Sequence, residues 1–166
     1  MKIAEKVVLI QSVLNKLYPA PPVPLNHNCP FTFLMAVVLS AQTTDGKVND
    51  VTENLFKIAP TPSKMCELDY EEVVDIIRGV GLAPSKAKYL LGLSKKIVDD
   101  FNGEIPKTQE DLESLPGVGR KTASVIMSQV YGVPSFAVDT HVHRLAVSSF
   151  CWQIFPYMAL VAMGTQ

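Results

Sequence analysis

Apolar residues recur at helical spacing along most of this chain. Near the N-terminus they stand three or four positions apart, which predicts an amphipathic helix that ends at Tyr18-Pro19. The residues of this apolar face are Ile3, Val7, Ile10, Leu14 and Leu17. A proline-rich connector follows, from Pro19 to Pro30. Alternation of apolar and polar residues with a period of two persists nowhere, so the pattern predicts an all-α fold.

The remaining apolar stretches predict further helices. The segment from Phe31 to Ala41 suits a buried helix or a buried strand, and its leucine, methionine and alanine content favours helix. Asp69 with Glu72 resembles a capping box that opens a helix from Tyr70 to Arg78. The other predicted helices cover 48–58, 63–68, 84–101, 109–115 after the capping residue Thr108, and 120–131, and a last one starts near Asp139 or Thr140.

Composition indicates one compact globular domain or slightly more. The 166 residues carry a net charge of −1, which does not indicate a nucleic-acid binder, so any such contact must rest on locally placed lysines and backbone donors. Three widely spaced cysteines (Cys29, Cys66 and Cys151) show no zinc spacing, and reduced structural cysteines are predicted. The first residues lack a signal-peptide pattern, so we expect a cytoplasmic location.

The segment Leu115-Pro116-Gly117-Val118-Gly119-Arg120-Lys121-Thr122-Ala123 carries the strongest chemical signal. Glycines let the backbone approach a ligand closely, and the helix that follows adds its positive end, so the turn suits a phosphate. The alternative is a hairpin between two helices in which the glycines only serve the turn. A weaker echo, Gly79-Val80-Gly81, lies 38 residues earlier, with Lys86 just beyond.

Lys121 and Asp139 are the candidate reactive groups. The positive helix end and Arg120 disfavour an ammonium ion at Lys121, which suits a nucleophilic amine. A lysine that only contacts phosphate is the alternative. Asp139 follows the apolar residues 136–138, and it is either a catalytic carboxylate or a helix N-cap, two roles that do not exclude each other.

Three motifs in order, Leu39–Asp45, Leu115–Ala123 and Ala137–His141, closely resemble the bacterial endonuclease III family of helix-hairpin-helix DNA glycosylase/AP lyases. The resemblance runs from the N-terminal helix to about Ala146. It implies a six-helix barrel domain at 19–135 with the helix-hairpin-helix at 109–131. Residues 1–18 would be the N-terminal helix of an incomplete second domain, 136–146 the catalytic aspartate segment, and 147–166 an atypical tail.

The resemblance also implies the substrate and the site residues. Double-stranded DNA with an oxidised pyrimidine or an abasic site would be the partner, with Lys121 as the nucleophile and Asp139 as its helper. Gln42 would fill the gap left by the flipped nucleotide, and Leu82 would wedge the opposite strand. The remaining DNA-binding residues would be Gly117, Val118, Gly119, Arg120, His141 and Arg144. The pair His141 and His143 has no third ligand, so no metal site is predicted.

The tail at 147–166 departs from the family. It contains no charged residue, and it has one cysteine where the family's [4Fe-4S] cluster needs about four. We therefore expect the C-terminal iron-sulfur part and its cluster to be missing, as after a shifted reading frame or a truncated gene. We also expect low solubility or stability, a monomer where the chain is soluble, and no membrane span.

Two hypotheses follow from the sequence. The first is a base-excision repair enzyme, a glycosylase that also cleaves the abasic site through a lysine Schiff base. The second is a truncated helix-hairpin-helix module that binds DNA without cleaving it. A helical protein-interaction scaffold explains neither the glycine turn nor Lys121.

Overall fold

The computed structural model describes residues 3–19, 22–135, 137, 140, 143 and 144. These residues form helices and no strand, so the predicted all-α fold is confirmed. The helices are α1 (Ile3–Leu17), α2 (Pro30–Ser40), α3 (Asp45–Ile58), α4 (Pro62–Cys66), α5 (Tyr70–Ile76), α6 (Ala83–Phe101), α7 (Gln109–Glu113) and α8 (Arg120–Tyr131).

Helix α2 forms the centre of the core. Nearly all of its side chains are buried, and α3, α6 and α8 all pack against it. Burial on every side explains why its sequence is apolar without a polar face. Because such a sequence has no periodicity, it suits a buried helix or a buried strand equally. Each fully buried leucine or isoleucine in such a core contributes about 1.5–3 kcal/mol. The largest fully buried side chains are Leu34, Met35, Leu39, Val48, Leu55, Met65, Ile77, Leu90, Leu93, Ile97, Leu112 and Ile126.

The three short helices each end two residues before the predicted end. The predicted ends were Leu68, Arg78 and Leu115, and the helices stop at Cys66, Ile76 and Glu113. The N–H groups of Leu68 and Leu115 donate to the carbonyl oxygens three residues earlier, at 3.3 and 3.1 Å, and the last turn tightens in this way.

Capping at the helix starts follows the sequence in one case and not in another. The Thr108 hydroxyl accepts the Asp111 N–H at 3.1 Å, as expected for the residue that opens α7. Asp69 holds the N-cap position of α5, but its side chain makes no capping hydrogen bond, so the predicted capping box is wrong.

Helix α1 is mostly exposed. Val7 is buried, whereas Val8, Leu9, Val13, Leu14 and Leu17 are exposed. Among the helices of the described residues, none has the length and apolar character needed to cross a membrane.

Candidate nucleic-acid interface

The turn between α7 and α8 depends on one glycine. Gly117 has φ of +77°, in the left-handed region that favours glycine. A Cβ on Gly117 would lie 2.7 Å from both Cβ and Cγ of Tyr89, so the turn packs directly on α6. Val118 is buried, and its N–H donates to the Leu115 carbonyl at 3.1 Å. The Val118 amide therefore closes the turn and does not face outward.

The N-terminus of α8 has the form of an anion site. Gly119 is the N-cap in an extended conformation, and a Cβ placed on it would meet nothing within 4 Å. Among the described residues, no acceptor takes the Gly119 N–H, while its carbonyl accepts the Ala123 N–H at 2.9 Å. An amide with no acceptor among these residues, open space at the Cβ position and the positive helix end are together features that suit a phosphate. Arg120 and Lys121 are exposed in the first turn of this helix.

Helix α6 supports the hairpin along one of its faces. Besides the contact of Tyr89 with Gly117, a Cβ on Gly92 would lie 3.3 Å from Cγ of Pro116. Further along, the Lys96 ammonium donates to the Ser114 carbonyl at 3.1 Å. Since residues three and four apart share a helix face, these three positions contact the 114–117 segment from one face of α6 and fix its position along that helix.

A second group of candidate residues lies at the start of the same helix. Gln42 and Leu82 have φ of 55° and 60°, and both side chains are exposed. A left-handed conformation costs a residue other than glycine about 1–2 kcal/mol. The two loops are neighbours, because a Cβ on Gly81 would lie 3.5 Å from the Gln42 carbonyl oxygen. The structure thus brings together the two residues expected to enter the duplex.

Sequence reasoning missed Lys86, which connects these loops. Its side chain is 3% exposed, and its ammonium donates to the carbonyl oxygens of Leu39 and Ala41 at 2.8 and 2.7 Å and to the Thr43 hydroxyl at 2.9 Å. Burial lowers the pKa of Lys86 from its ordinary value. Its position in the sequence could have indicated its burial, because Ala83, Lys86 and Leu90 are spaced three and four residues apart and share the buried face of α6.

The other predicted site residues divide between described and undescribed parts of the chain. Arg144 is exposed. Asp139 and His141 lie outside the described residues, as does Cys151. Their predicted roles therefore stay predictions, as does the predicted helix start near Asp139 or Thr140.

The cysteines of this chain do not fit a [4Fe-4S] cluster. Cys29 is partly buried with its Sγ 3.5 Å from the Thr32 hydroxyl, and Cys66 is exposed. The part of the chain that the structure describes contains no group of three or more possible metal ligands. Three cysteines in the sequence fall short of four thiolates.

Known proteins similar to this chain are DNA repair enzymes. Endonuclease III of Haemophilus influenzae is 41% identical over 140 residues, and the match covers 84% of this chain and 66% of that protein. Endonuclease III of Bacillus subtilis is 44% identical over 133 residues, and the match covers 80% of this chain and 61% of that protein. The Escherichia coli K12 enzyme is 45% identical over 127 residues, covering 76% and 60%. The chain thus spans about three fifths to two thirds of these relatives.

Solved structures agree with the sequence match. A trapped endonuclease III–DNA covalent intermediate superposes with a TM-score of 0.82 at 41% identity, covering 88% of this chain and 68% of that one. A non-covalent endonuclease III–DNA complex superposes with a TM-score of 0.87 at 38% identity, covering 99% of this chain and 79% of that one. The family profile matches residues 35–153, seven residues past Ala146. The expected resemblance is confirmed, and the chain belongs to the HhH-GPD superfamily of base excision DNA repair proteins.

Proposed function

We propose that this chain acts on damaged double-stranded DNA as a DNA glycosylase and AP lyase for oxidised pyrimidines. The observation that carries the proposal is the position of Lys121, an exposed amine in the first turn of a helix whose N-terminus is shaped to hold phosphate. A strand bound at Gly119 would bring a deoxyribose near this amine. Similarity to endonuclease III–DNA complexes supports the same orientation of DNA on the chain.

The proposed reaction begins with the Lys121 amine. Its lone pair attacks C1′ of the flipped nucleotide, and the glycosidic bond breaks with its electron pair leaving on the base. The bound amine loses a proton, the sugar ring opens, and a Schiff base forms between Nζ and C1′. Loss of a 2′ proton then expels the 3′ phosphate by β-elimination, and water releases the lysine.

Asp139 would assist this reaction. Its carboxylate would accept a proton from the amine and stabilise the positive charge that develops on the sugar. It follows Lys121 by eighteen residues in the sequence.

Gln42 and Leu82 would keep the damaged nucleotide out of the duplex. Flipping a nucleotide costs a few kcal/mol of lost stacking and pairing, a cost lowered by side chains that fill the gap. Gln42 would occupy the space left behind, and Leu82 would separate bases on the opposite strand. Both suit this role because they are exposed at the tips of adjacent loops.

The test of the proposal is covalent trapping. Borohydride reduces a Schiff base to a stable amine, so the chain should become linked to duplex DNA that contains an abasic site. Lys121→Ala should abolish the adduct, while Lys57→Ala, which removes an exposed lysine of α3, should leave it unchanged. Equal trapping by the Lys121→Ala variant would remove Lys121 as the nucleophile.

Binding without cleavage is the second candidate function. The Gly119 amide and the helix end require neither Lys121 nor Asp139 to hold a phosphate. Salt-dependent binding to an abasic duplex, with neither adduct nor strand break, would select this function.

A further inference from the structure

We propose that Lys86 is a positioning residue that fixes the Gln42 loop against the Leu82 loop and so sets the spacing of the two side chains that enter DNA. The inference rests on the proposed roles of Gln42 and Leu82. Lys86 itself is 3% exposed and would not touch the substrate.

Lys86 is bonded to both loops at once. Its backbone N–H donates to the Leu82 carbonyl at 3.0 Å, in the first turn of α6. Its ammonium reaches Ala41 and Thr43, the residues on either side of Gln42. A single residue therefore connects the carbonyl of one left-handed residue to the immediate neighbours of the other.

The ammonium has three hydrogens and three acceptors. Besides Ala41 and Thr43, it donates to Leu39 in the last turn of α2 at 2.8 Å. The last carbonyls of a helix lack intrahelical donors and carry partial negative charge, so a cation there is stabilised. An ammonium also fixes three directions, which a neutral side chain of the same length cannot do.

The burial of this charge indicates a positional role. Among the described residues, Lys86 makes no ion pair, and the acceptors around it are neutral oxygens. Taking a charge out of water is expensive, and an apolar side chain at the same position would not carry that cost. Its neighbours on the stripe, Ala83 and Ala87, are apolar and buried. An apolar side chain at 86 would leave the Gln42 loop free to move relative to α6.

Lys86→Met is the variant that tests this role, because it keeps the length of the side chain and removes every donor. Lys95→Met is the matched control, since Lys95 is exposed on the same helix. Thr43→Val removes a single acceptor and preserves shape, so it gives a milder version of the same change should Lys86→Met fold poorly.

Two measurements are made on each variant of the full chain. The rate of hydrogen exchange at the 40–44 and 79–83 backbone amides reports how firmly the two loops are held, with residues 109–131 as an internal reference. Fluorescence of 2-aminopurine opposite an abasic site, together with affinity for abasic and undamaged duplexes, reports entry into DNA.

We expect Lys86→Met to speed exchange in both loops but not at 109–131. Its preference for the abasic duplex should fall by about tenfold, the effect of losing one buried hydrogen-bond network, while affinity for undamaged duplex stays the same. The 2-aminopurine signal should fall with the preference. Thr43→Val should lower the preference by about two- to threefold, and Lys95→Met should match the wild type.

Unchanged loop exchange in both Lys86→Met and Thr43→Val would overturn the proposal. Faster loop exchange with an unchanged preference for the abasic duplex would overturn it as well. If the wild-type chain shows no such preference, the proposed function fails, and loop exchange still decides whether Lys86 holds the loops together.

Discussion

Two Gly-Val-Gly turns lead into helices in this chain, and they are stabilised in different ways. At 117–119 the left-handed conformation falls on Gly117, and the turn is fixed by close packing on Tyr89. At 79–81 neither glycine has a positive φ, and the left-handed residue is Leu82. The loop that lies against this turn, at Gln42, is bonded to the following helix by the buried Lys86 ammonium, which donates to Ala41 and Thr43. The first turn should therefore be sensitive to added volume, and the contact of the second turn with the Gln42 loop should be sensitive to the loss of charge.

The largest expected effect follows from Gly117→Ala. The new methyl group would meet Tyr89 at 2.7 Å from atoms close to its backbone, so the turn or α6 must shift. Left-handed strain and overpacking together should lower the free energy of unfolding by about 2–5 kcal/mol. Urea denaturation measures this loss, and DNA affinity should fall with it.

Gly119→Ala is the matched control for that substitution. Its φ is −93° and its Cβ position is open, so stability should change by less than about 1 kcal/mol. Affinity for DNA should still fall, because the methyl group would stand where a phosphate approaches. If Gly119→Ala lost as much stability as Gly117→Ala, the contact with Tyr89 would not be what distinguishes the two glycines.

Leu82→Gly should separate the stability of the fold from the recognition of damaged DNA. Glycine removes the left-handed strain of about 1–2 kcal/mol at an entropic cost of about 0.5–1 kcal/mol, so the free energy of unfolding should stay equal or rise by up to about 1.5 kcal/mol. Leu82 is 62% exposed, so little packing is lost. Preference for damaged duplex should fall, because the side chain proposed to separate the bases of the opposite strand would be gone.

Asn102→Gly provides the control for this prediction. Asn102 is also left-handed, with φ of 52°, and it ends the same helix far from the loops. This variant should keep the wild-type preference for damaged DNA. A stability loss of more than about 1 kcal/mol in Leu82→Gly would mean that its side chain supports the fold and is not held there for function.

The two turns also differ in how far the sequence predicts them. The hairpin was predicted with its helix α8 at the correct bounds, because glycine, proline and helical spacing act over a few neighbouring residues. The paired loops were not, since a left-handed leucine and a buried lysine depend on contacts about 45 residues apart along the chain, such as Lys86 to Ala41. Gln42 and Leu82 entered through resemblance alone, and nothing local to Lys86 indicates its acceptors.

The smallest expected effect is a dependence of stability on alkaline pH that belongs to Lys86. Burial lowers its pKa in the folded chain below the ordinary 10.5, so between these two values the unfolded chain binds more protons. The contribution of Lys86 to stability should therefore rise with pH in that window, by at most about 1.4 kcal/mol per pH unit for a single proton.

Tyr131 acts in the opposite direction, because burial and then Glu104 raise its pKa, so its contribution to stability falls as pH rises above 10.0. The difference between wild type and Lys86→Met isolates the lysine, since Tyr131 is common to both chains. Denaturation midpoints from pH 8 to 10.5 should show this difference growing in favour of the wild type, and a constant difference would mean that the ammonium is not desolvated.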